Sequence, residues 1–139
     1  MKIIYQNSEG GVSVIHPTGA LSIEEVAAKD VPEGLAYEIV EDDVIPSDRT
    51  FRNAWRKNGA SITEDLAAAK EIAHVMRRSN REEEFKPHDD LIAKQIPGVD
   101  TDAAETARAA IRTKYATMQE NIDSAGSTAE IKAALDGGL

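Results

Sequence analysis

Ser61-Ile62-Thr63-Glu64-Asp65-Leu66-Ala67-Ala68-Ala69-Lys70-Glu71-Ile72-Ala73 is where the chain changes its period. Before this stretch, apolar residues alternate in short β-prone runs; after it, they return every three or four residues. Ser61 and Glu64 stand at the spacing of a capping box, and Leu66, Ala69, Ile72, Ala73 and Met76 share one helical face, which predicts a helix from Ser61 to about Glu84. The fold class that follows is α+β. A ββαβ minidomain is expected over residues 1–45, an aromatic connector over 46–60 and an all-helical half over 61–139.

Working back from Ser61, Lys2 to Gln6 and Val12 to His16 are β-prone runs separated by Asn7-Ser8-Glu9-Gly10-Gly11, a turn whose glycines accept positive φ. They read as a hairpin. Ser22, with Glu25 three residues on, caps a short helix through Lys29 that carries Ile23, Val26 and Ala27 on one side, and Pro32 and Gly34 stop it. Leu35, Tyr37 and Ile39 then alternate and add a third strand. Roughly 40 residues bury little surface against chain entropy, so such a minidomain leans on something else.

Working forward, Glu82-Glu83-Glu84, Phe85 and Pro87 predict a break near Lys86 and a second short helix from Pro87 to Gln95, stopped by Pro97-Gly98. A third helix starts at Asp102 with Glu105 as an acidic capping box, and Ala104, Ala107, Ile111, Tyr115, Met118 and Ile122 keep one apolar stripe along it. Ser127 and Glu130 cap a last helix bearing Ile131, Ala134 and Leu135, which Gly137-Gly138 ends. Alanine-rich stripes let helices approach closely, as an antiparallel hairpin or an intermolecular bundle.

The formal net charge of −9 sets the chain against nucleic-acid backbones, and the absence of cysteine removes disulfides, thiolate metal sites and thiol nucleophiles. No run approaches a membrane span and the start turns polar within a few residues, so a cytosolic location is expected. Aromatic residues make up only 4 %, a thin core that favours a partner or homo-oligomerisation.

Local chemistry is scarce. His16, His74 and His88 are far apart, and Pro87-His88-Asp89-Asp90 reads as a helix N-terminus rather than a metal site. Glu41-Asp42-Asp43 and Glu82-Glu83-Glu84 lack the spacing of a calcium loop, and Gly10-Gly11 lacks that of a phosphate loop. Arg77, Arg78 and Arg81 are bracketed by acids, which favours ion pairing or a charged interface over nucleic-acid binding. No catalytic residue, metal ligand or cofactor is assigned.

The connector is richer. Arg49, Phe51, Arg52 and Trp55 are the residue types that dominate protein interfaces and are the candidate partner-binding set. The alternative is that Phe51 and Trp55, four apart on a short helix, fasten the minidomain onto the helices.

Val44-Ile45-Pro46-Ser47-Asp48-Arg49-Thr50-Phe51-Arg52-Asn53-Ala54-Trp55, followed by Ile62-Thr63-Glu64-Asp65-Leu66, resembles small tail or tail-fibre assembly proteins of tailed bacteriophages. Met1 to Asn7 and Ile23-Glu24-Glu25-Val26-Ala27 share the likeness, which is strongest over residues 1–78. It implies non-enzymatic work in the host cytoplasm or on the virion tail. The chain would bind a tail-fibre or baseplate protein, either as an assembly chaperone or as a retained accessory subunit. An acidic inhibitor mimicking nucleic acid is the alternative from another class; the interspersed Lys and Arg speak against it.

Overall fold

The computed structural model describes residues 1–137, and the protein is α+β with a helical C-terminal half. Two compact units divide it, Met1–Ala69 and Lys70–Leu139.

In the first unit β1 (Lys2–Gln6) pairs antiparallel with β2 (Val12–Ile15) and with β3 (Tyr37–Val40), in the order β2-β1-β3. Ile4 stands opposite Val14 and Glu38, and Ile3 opposite Ile15 and Ile39. The β1–β2 turn is tied by Asn7, whose Oδ1 accepts from the Glu9 and Gly11 amides while Gly10 takes φ +79°. Successive residues of a strand face opposite sides. Ile3 therefore packs with Val26 and Ala27 of α1 (Ile23–Asp30), while Ile4 packs with Val12, Val40 and Trp55 on the other face. The capping box of Ser22 and Glu25 starts α1 as the spacing predicts.

β3 is shorter than the alternation predicts. Leu35 lies outside it, and Leu35 and Tyr37 are exposed, because Val40 and Ile39 supply its inward contacts.

The largest correction falls on Ser61–Glu64. This segment is a strand, β5, paired antiparallel with β4 (Trp55–Asn58), so the expected capping box of Ser61 and Glu64 does not exist. The residue at the start of α2 (Leu66–Lys94) is Asp65: its Oδ1 accepts from the Ala68 amide at 3.1 Å, and its carbonyl accepts from Ala69. Both spacings are compatible with a cap. Strand pairing with Trp55–Asn58, a contact invisible to local spacing, selects the later one.

In the second unit α2 runs on without the expected break, with Pro87 inside it. Proline removes one amide donor from the helix ladder. Ion pairs of Lys86 with Asp90 at 3.4 Å and of Asp89 with Arg108 at 2.9 Å hold the turns around it. The Asp89-Asp90 pair therefore does not cap a helix; it lies mid-helix.

α3 (Asp102–Ser124) buries Ala104, Ile111, Tyr115, Met118 and Ile122, the expected stripe except that Ala107 is half-buried. Its N-cap is Thr101, with no side-chain cap bond; Asp102 donates its amide to Asp100, and Glu105 pairs with Arg108 instead of closing a box. α4 (Thr128–Asp136) is capped by Ser127 and buries Ile131 and Leu135, while Gly138 lies outside the described residues.

Between α2 and α3, Asp123 meets His74, Lys114 meets Glu84, and Arg108 meets Asp89. The numbers rise on one helix as they fall on the other, so the two form an antiparallel hairpin.

Candidate functional site

The connector belongs to the first unit and is built turn by turn. Asp48 Oδ1 accepts from the amide and hydroxyl of Thr50 at 3.0 and 2.6 Å, which turns the chain inward after Pro46. The Ala54 amide then donates to the Phe51 carbonyl at 2.8 Å, and Arg52–Ala54 forms a single 3-10 turn. Its last residue delivers the chain into β4, so Trp55 is a strand residue rather than the second anchor of a short helix.

This geometry divides the four candidate residues. Phe51 and Trp55 are 3 % and 0 % exposed and belong to the interior, whereas Arg49 and Arg52 are exposed. Trp55 packs on Ile4, Val12 and Val40, with Val14, Val44, Ile45 and Ile62 around it. Its indole N–H has no acceptor among the described residues, a desolvation cost of about 1–3 kcal/mol that the burial of so large a ring offsets. Both aromatics are thus interior residues of the first unit, and Trp55 packs on its sheet. The arginines are the outward half of the same turn.

Arg56 and Asp65 were missed by sequence reasoning. Arg56 donates to the carbonyls of Asn53 and Trp55 at 3.1 and 2.8 Å and pairs with Asp65 at 3.4 Å, joining the 3-10 turn to the first residues of α2. The Asp65 amide in turn donates to the Ala54 carbonyl at 2.8 Å. An Arg nine residues before an Asp signals nothing until the β4–β5 hairpin folds them together.

Arg52 and Asn53 line a half-open depression of about 360 Å³ with Asn7, Glu9 and Gly11 of the β1–β2 turn and Val12 and Ser13 of the following strand. Its walls offer a guanidinium, two carboxamides and a hydroxyl, and hold the carboxylate of Glu9.

Titratable groups displaced from their ordinary values each have a structural cause. The Ser22 cap lowers Glu25, and the N-terminal amine 2.9 Å away lowers Asp42. Burial lowers the Arg77 guanidinium, with Arg81 and Arg78 adding to the effect; its Nε donates to His74 Nδ1 at 3.3 Å. The basic patch on α2 is thus partly interior. Arg81 lies over the Phe85 ring, which Arg108 also approaches, each at 5.9 Å from the centroid. Among the described residues, no three of His, Asp and Glu converge as a metal site would require, and no helix is long and apolar enough to cross a membrane.

Comparison with protein-family models, with curated proteins and with solved structures finds no match to this chain.

Proposed function

We propose that this is a non-enzymatic tailed-bacteriophage protein that binds a tail-fibre or baseplate protein, as a chaperone of fibre assembly. The observation that carries the reading is the connector: two buried aromatics hold a tight turn whose outer side presents Arg49 and Arg52. Arginine on a fixed turn suits protein recognition, because the backbone needs no further ordering and the planar guanidinium fork is pre-organised for paired hydrogen bonds. The stretch that builds this turn is also the one that resembles tail-assembly proteins.

Co-expression with the tail-fibre protein encoded beside it, followed by affinity purification and light scattering, tests the reading. A complex of defined mass is expected. A chain that purifies alone, as a stable monomer, would sink the proposal. An accessory subunit would share these binding features, and mass spectrometry of purified particles separates the two roles: a chaperone is absent from them.

A further inference from the structure

We infer that the surface of Arg49, Arg52 and Asn53 beside the β1–β2 turn docks an acidic, carboxylate-bearing peptide segment of the partner; this rests on the binding function proposed above.

Charge is segregated along the chain. Residues 49–63 hold Arg49, Arg52, Arg56 and Lys57 and no acid, although the whole chain stands at −9. Two of these cations are engaged internally, Arg56 with Asp65 and Lys57 with Glu38 at 3.9 Å. Arg49 and Arg52 are exposed, and among the described residues neither forms an ion pair. They sit on one turn, the Arg52 amide donating to the Arg49 carbonyl at 3.1 Å. Two exposed arginines on one turn, beside the carboxylate of Asp48 that Thr50 binds, give an acidic protein a local cationic patch that favours an anionic partner and speeds its approach.

The depression under Arg52 defines the kind of anion. A guanidinium fork binds a planar carboxylate through two parallel hydrogen bonds, and the Asn53 and Asn7 carboxamides add neutral donors alongside. Asn7 Oδ1 is already spent on the turn, and its amide nitrogen donates one hydrogen to Ser13 Oγ at 3.5 Å and keeps a second to offer. The polar walls do not suit a flat apolar cofactor. Glu9 lines the same depression and the surrounding chain is acidic, so a long phosphate backbone would be repelled along most of its length, while a short segment with a few carboxylates need meet only the arginines.

The test is a titration of the full-length, isotope-labelled chain with an acetylated glutamate-rich peptide, followed by amide chemical shifts. Its glutamine analogue and a single-stranded oligonucleotide of matched charge serve as comparisons. Saturable shifts at Asn7, Gly11, Arg52 and Asn53 are expected, absent with the glutamine analogue. In the Arg49→Glu, Arg52→Glu double variant, affinity should fall about tenfold with thermal melting unchanged, since both side chains are on the surface. Shifts elsewhere, unchanged affinity in the double variant, or tighter binding of the oligonucleotide would each overturn the inference. Co-expression separates it from the function it rests on. A fibre complex retained in full by the double variant removes this site and leaves the binding function standing; no complex with the unaltered chain removes that function, and the titration then decides the surface by itself.

Discussion

Glu84 receives two hydrogen bonds on one oxygen, from Lys114 Nζ at 2.6 Å and from the Tyr115 hydroxyl at 2.7 Å. The Lys114 bond chiefly lowers the Glu84 carboxyl, while burial first and the Glu84 bond second push Tyr115 up to about 12. The two shifts act at opposite ends of the pH scale. A carboxyl lowered in the fold contributes stability that is complete above its unfolded value and lost as pH falls through the folded one. A phenol raised in the fold contributes stability that is intact below its unfolded value of 10.0 and lost as pH rises toward about 12. Urea unfolding across pH should therefore show Glu84→Gln flattening the acid limb, at a cost of about 1 kcal/mol near neutrality, and Tyr115→Phe flattening the alkaline limb. An alkaline loss of stability identical in Tyr115→Phe and the unaltered chain would refute this account.

Elements differ in how far their neighbours decide them. α1 and α3 carry their apolar faces and the first its cap within their own residues, and both appear close to where spacing places them. α2 does not, because its true start depends on the β4–β5 hairpin and its passage through Pro87 on ion pairs with α3. The cap assignment has a direct check in chemical denaturation. Asp65→Ala should destabilise by about 1–2 kcal/mol, losing both the Ala68 cap bond and the Arg56 pair, while Ser61→Ala should stay within about 0.5 kcal/mol. Equal costs at the two positions would restore the earlier cap. The candidate site was half legible for the same reason: Arg49, Phe51, Arg52 and Trp55 announced themselves by type, but only the hairpin decides that the aromatics turn inward and the arginines outward.

Across the whole molecule the chain divides into two compact units, the first burying Ile3, Ile4 and Trp55, the second Tyr115, Ile122 and Ile131. The split between β-rich and helical halves was readable from the change of period; the inclusion of the connector in the first unit was not, since it follows from non-local packing on β1 and β2. Two compact units predict separate unfolding. Amide exchange in rising urea should release the protected amides of β1 and those of α3 at different concentrations, and a single coincident release would show the units to be one cooperative body. The lone tryptophan has one further consequence. An indole at 0 % exposure, with no acceptor for its N–H among the described residues, should emit at short wavelength and lie beyond the reach of aqueous quenchers. Its fluorescence therefore makes a built-in gauge of whether the first unit is intact, one that stays silent when surface charges are exchanged and reddens only when the interior opens.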